Sequence, residues 1–216
     1  MAQRNSSTVT IEVPWIGLAT LAVAGLAVGA GVPAIWQADN PTWQMTRAAG
    51  LVAFTLLWLS VILGLLQSTG YFRMPGVVDL HTFASVWALY ATVFHIVVLL
   101  FDRHSPYRLA EILIPFADVH SPVLNGIGGL AFYISAGVTV TSYYRTRFST
   151  KSWRAIHLTS LGAFLFALVH ALVLGTDSGL PWLAFAYRFA AVSVAGLLGY
   201  RIYLGVKKRA HPAGGR

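Results

Sequence analysis

Four of the seven histidines in this 216-residue chain stand in strongly apolar surroundings. His81 and His95 are fourteen residues apart in one apolar stretch, and His157 and His170 are thirteen apart in another. An imidazole in hydrocarbon is costly, and it usually faces a partner or a cofactor inside a helical bundle. At 1.5 Å of rise per residue the two separations come to about 21 and 20 Å. Read as alternate spans, the two stretches run the same way through a membrane, so His81 matches His157 in depth and His95 matches His170. Haem iron takes one axial nitrogen on each face, and a histidine from each of two helices clamps one macrocycle. Two depth-matched pairs therefore point to two b-type haems stacked across a bilayer. Packing by interhelical hydrogen bonds explains any one of these histidines alone, but not the matched pairs. A zinc or copper site fits less well, because each pair supplies two ligands and no carboxylate is near.

The helices that carry them face a geometric problem. At about 100° per residue, fourteen steps return within about 40° of the same face, whereas thirteen miss it by about 140°. The helix of His157 and His170 must twist, tilt or bulge, and Gly162 between them is the expected place. Each ligand's second ring nitrogen needs a carbonyl or hydroxyl partner, and Thr82, Ser85, Thr159 and Ser160 are within a helical turn.

Composition agrees with a membrane setting. The chain is 56% hydrophobic and 10% charged, with a mean hydropathy of +0.67, against about 25% charged residues in ordinary soluble domains. No cysteine is present, which excludes disulfides, thiolate metal sites and iron–sulfur clusters. A hydrocarbon core of about 30 Å needs about 20 apolar residues. Six stretches qualify: Pro14–Trp36, Ala48–Leu66, His81–Phe101, Val123–Tyr143, Ile156–Leu174 and Phe185–Leu204. The fold expected is all-α, a polytopic six-transmembrane helical bundle in one domain over residues 1–216, with a basic tail over 205–216. Pro14–Trp36 is read as a retained span, because its apolar run exceeds a signal core and only Arg4 leads it.

Six spans place both termini on one side. That side collects eleven of the fifteen Lys and Arg residues, and the other has Arg47, Arg103, Arg108 and Arg188 with five of the seven acids. The positive-inside rule then makes both termini cytoplasmic, and it accounts for the net charge of +8 without nucleic acid. The long outer loop Asp102–Pro122 holds Tyr107–Phe116, which reads either as a short interfacial helix over the outer mouth or as an irregular loop. For the anionic propionates of a haem, Arg47 and Arg188 are outer candidates and Arg73 and Arg154 inner ones, with interfacial anchoring as the alternative for each. Phe164, midway between His157 and His170, is a candidate bridge between macrocycles, or simply packing. His104 and His120 fall in the outer loop and His211 in the tail. Gly126, Gly128 and Gly129 read as close helix packing.

With Arg47-x-x-Gly50, Leu80-His81 with Ser85 and His95, and Trp153-x-x-x-His157 with His170, the chain resembles the ferric-reductase-like transmembrane domain superfamily. That group includes the membrane parts of NADPH oxidases and ferric reductases, and the haem-binding subunit of the bacterial methionine sulfoxide reductase system. The resemblance spans roughly Arg47 to Gly205. It implies bis-histidine ligation of two haems b and passage of electrons across a cell membrane, by this type a bacterial inner membrane. The flavin and nicotinamide module of oxidase members has no counterpart among the dozen residues after the last span. Electrons would then come from a separate flavoprotein, a quinol or a partner subunit of a larger complex. Two other readings stand beside an electron-carrying cytochrome: a quinone-reactive haem anchor of a redox complex, and a haem-free membrane scaffold.

Overall fold

The computed structural model describes residues 39–70, 75–102 and 106–210. The expected first span, Arg73, His104 and His211 lie outside the described residues. Those described form helices joined by turns and loops, with no strand among them. In order they form α1 (Pro41–Thr69), α2 (Val77–Leu100), α3 (Leu109–Leu113), α4 (Pro122–Tyr143), a 3-10 turn (Arg145–Arg147), α5 (Thr150–Leu158), α6 (Ser160–Leu174) and α7 (Pro181–Ala210).

Five helical stretches are long and apolar enough to cross a bilayer: α1, α2, α4, the α5–α6 unit and α7 as far as Lys207. Their 29, 24, 22, 25 and 27 residues exceed the roughly 20 a span requires. Large apolar side chains such as Phe94, Val97, Leu165 and Val192 are exposed on the outside of the bundle, as lipid contact demands. The protein is an integral membrane helical bundle.

Local signals set the helix ends. The Asn40 side chain accepts from the Trp43 N–H at 3.2 Å and Pro41 stands at the first helical position, so α1 begins seven residues before the expected Ala48. Gly70 closes it with φ of +78°, a left-handed conformation that favours glycine. At the other end of the chain, Gly205–Ala210 continue α7, so half of the expected tail is helix.

Two antiparallel pairs build the bundle, α1 packed on α2 and α4 packed on α6. They join through an apolar core of Val61 and Leu65 from α1, Phe164 and Leu168 from α6, and Leu183, Tyr187, Ala190 and Val194 from α7. Trp58 Nε1 donates to Ser193 Oγ at 3.0 Å, giving the indole its polar partner.

The histidine-bearing span departs from expectation in one place. The helix is interrupted at Thr159, whose N–H and hydroxyl both bond the Ile156 carbonyl, at 3.0 and 2.6 Å. This tightened i to i+3 turn separates α5 from α6 and sits between the two histidines. Gly162, the expected hinge, lies inside regular α6. A threonine hydroxyl competes for backbone carbonyls and bends helices, which explains why the break falls there.

Candidate functional site

His95 and His81 reach from α2 onto α1, each over one helical turn. His95 Nδ1 lies 2.8 Å from the Thr46 carbonyl, and His81 Nδ1 2.8 Å from the Ser60 carbonyl. Four residues beyond each carbonyl stands a glycine. A Cβ on Gly50 would come 3.1 Å from the His95 ring, and one on Gly64 3.2 Å from the His81 ring. His170 repeats the arrangement on α4. Its Nδ1 is 2.9 Å from the Leu124 carbonyl, and a Cβ on Gly128 would fall 2.6 Å from that same nitrogen.

The spacing has a geometric cause. In a helix, carbonyl i points toward the N–H of residue i+4, so the side chain at i+4 stands beside that oxygen. Glycine leaves the flank open and an imidazole occupies it. A carbonyl only accepts, so Nδ1 must hold the proton and donate, and in the neutral ring Nε2 then keeps its lone pair. Three of the four histidines are thus held in the tautomer that metal ligation through Nε2 requires.

His157 is held differently. Its Nδ1 is 3.4 Å from Ser142 Oγ, a hydroxyl that also accepts from Trp153 Nε1 at 3.4 Å. The Trp153 ring stacks on His157 at 4.9 Å and 28°, and the Arg145 guanidinium lies 4.6 Å from the Trp153 ring centre.

The rings pair as their depths predict. His81 and His157 are 5.9 Å apart centre to centre, with planes at 60°. His95 and His170 line one cavity of about 320 Å³, inside the range of about 300–1,000 Å³ for small-molecule sites. Its wall includes Thr46, 3% exposed, whose hydroxyl has no hydrogen-bond partner.

Tyr107, Glu111, Ile112 and Leu113 close the cavity on the loop side. The short-helix reading of that loop holds as α3, capped by the Glu111 carboxylate, which accepts from the Arg108 N–H at 2.8 Å. Gly126 receives the Phe116 ring, where a Cβ would clash at 2.3 Å, so its small size serves the loop rather than another span. The buried Asp118 ties the loop to α4, accepting from Ser121 N at 2.6 Å and Asn125 Nδ2 at 2.8 Å.

Arg47 lines the same cavity. It pairs with Asp177 through both carboxylate oxygens, with Nε to Oδ2 at 2.7 Å, and reaches Gln44 Oε1 at 3.2 Å. Arg154 and Arg188 are exposed and line no part of this cavity. Phe164 is buried in the apolar core, stacked 5.9 Å from Phe54, and Phe54 lines the cavity.

Comparison with models of known families, with curated proteins and with solved structures gives no match.

The function must therefore be argued from the site. Among the described residues, no group of three or more His, Cys, Asp or Glu could hold a metal ion. Each histidine pair offers two ring nitrogens and no carboxylate. A carbonyl partner was one expected alternative, but which carbonyls serve, and that Gly50, Gly64 and Gly128 make room for the rings, was not read from the sequence. The expected partners bond elsewhere: Ser85 Oγ donates to the His81 carbonyl, Thr82 to that of Val78 and Thr159 to that of Ile156. The available signal was Gly50 and Gly64, spaced fourteen apart like His81 and His95.

Proposed function

We propose that the protein is a di-haem b-type cytochrome that carries electrons across a membrane, of the ferric-reductase-like kind its sequence resembles. The observation that supports this best is the thrice-repeated setting of carbonyl i, glycine i+4 and histidine. It leaves Nε2 of His81 and His95 on α2 and of His170 on α6 available as ligands, and His157 on α5 would complete the second pair. His81 and His157 would hold the inner haem, His95 and His170 the outer one, with the orphaned Thr46 hydroxyl and the Arg47 guanidinium as polar contacts for the outer group. When bound, haem supplies one-electron storage at each level. The chain supplies neutral ligands, an apolar surrounding and the separation of about 20 Å along the helices.

The inner side is cytoplasmic in this reading, because eleven of fifteen cations fall there. The membrane would be a bacterial inner membrane, with six spans once Pro14–Trp36 is included. The donor is a separate flavoprotein, a quinol or a partner subunit.

A reduced-minus-oxidised spectrum of the purified chain with haem quantification tests the proposal. Two b-type haems per chain are expected, and His81→Ala or His95→Ala should each remove about half. A folded protein that purifies without haem absorbance would sink the cytochrome reading and favour the scaffold. Quinol-driven reduction in membranes, set against reduction by a flavoprotein, identifies the donor.

A further inference from the structure

The fourth histidine breaks the pattern of the other three, and the difference is chemical. His81, His95 and His170 each face a backbone carbonyl at 2.8–2.9 Å. His157 faces a hydroxyl at 3.4 Å. A hydroxyl both donates and accepts, so it does not decide which ring nitrogen holds the proton.

The surroundings also restrain it less. Among the described residues no glycine receives the His157 ring as glycines receive the other three. Two residues later the helix is interrupted at Thr159. The contact at 3.4 Å lies beyond the usual N–H···O range of about 2.7–3.2 Å, and the same Ser142 hydroxyl serves Trp153.

We propose that His157 is a displaceable ligand, and that the inner site takes a small neutral diatomic such as carbon monoxide in its place. This rests on the haem reading above. In the exchange the bond from His157 Nε2 to the reduced iron breaks and one to the incoming carbon forms. No electron is transferred, and the freed imidazole stays stacked on Trp153. The outer site, whose two ligands are both fixed by carbonyls, stays closed to such ligands.

The experiment exposes the reduced, haem-loaded full chain to carbon monoxide and follows the Soret band. The expected result is a shift of about half the haem, with His95→Ala leaving the reactive half in place. Ser142→Ala, which removes the hydroxyl, should raise carbon monoxide affinity several-fold, whereas Gly162→Ala should not change it. Two haems with no shift would overturn the inference while leaving the cytochrome intact. A shift at both sites, or an affinity indifferent to Ser142→Ala, would overturn it too. A folded chain without haem would instead refute the underlying reading.

Discussion

At the scale of single residues, the glycines separate by what lies opposite them. A Cβ on Gly128 would meet His170 at 2.6 Å, whereas nothing lies within 4 Å of one on Gly162 or Gly196. Overpacking costs about 1–3 kcal/mol, while Gly→Ala on a free helix face gains up to about 1 kcal/mol. Gly128→Ala should therefore lower the thermal midpoint and strip about half the haem, and Gly162→Ala should raise the midpoint slightly and strip none. Parallel melting curves and haem counts check both. The histidines were legible because ionisable residues are rare in hydrocarbon. Their partners were not, because a carbonyl belongs to every residue and leaves no mark in the sequence; only the glycine that uncovers it does.

At the scale of elements, the numbers thirteen and fourteen already required the second histidine helix to deviate. The place of the deviation was not legible, since Gly162 and Thr159 both qualify and the competing hydroxyl decides it. The outer loop was equally open between helix and coil until Asp118 gathered its end. Burial alone would raise the Asp118 pKa. Hydrogen bonds from Asn125, Ser121 and His120, with the charge of His120, outweigh that and hold it below the usual carboxylate range. A carboxyl depressed by folding stabilises above its unfolded pKa, about 3.9, and that contribution is lost as pH falls through the folded value. Amide exchange in residues 107–125 should stay slow at neutral pH and accelerate only below about pH 4. Asp118→Asn should accelerate it at neutral pH as well.

Across the whole molecule, the five described spans and their apolar exteriors followed directly from composition, since lipid leaves helices as the economical choice for a chain of this pattern. The asymmetry between the two proposed haem levels did not. Imidazoles that donate to carbonyls are more basic ligands and favour oxidised iron. The outer pair has two such ligands and the inner pair one. A redox titration should therefore show two steps, the higher one lost in His157→Ala and the lower one in His170→Ala. Each tenfold difference in that preference is worth about 59 mV.

The proposed ligands of each level are also divided between two helical units, α1 with α2 and α4 with α5 and α6. On the haem reading proposed above, neither unit alone holds both histidines of a level, so α1 and α2 by themselves would hold no haem firmly. Haem capture would then wait until α6 is made, and the prosthetic group would act as mortar between halves translated at different times. Cells starved of haem should accumulate chains that are inserted but open between α2 and α6, and readily cut by protease in the loop over residues 106–121. Added haem should close them without new synthesis, in proportion to its binding free energy.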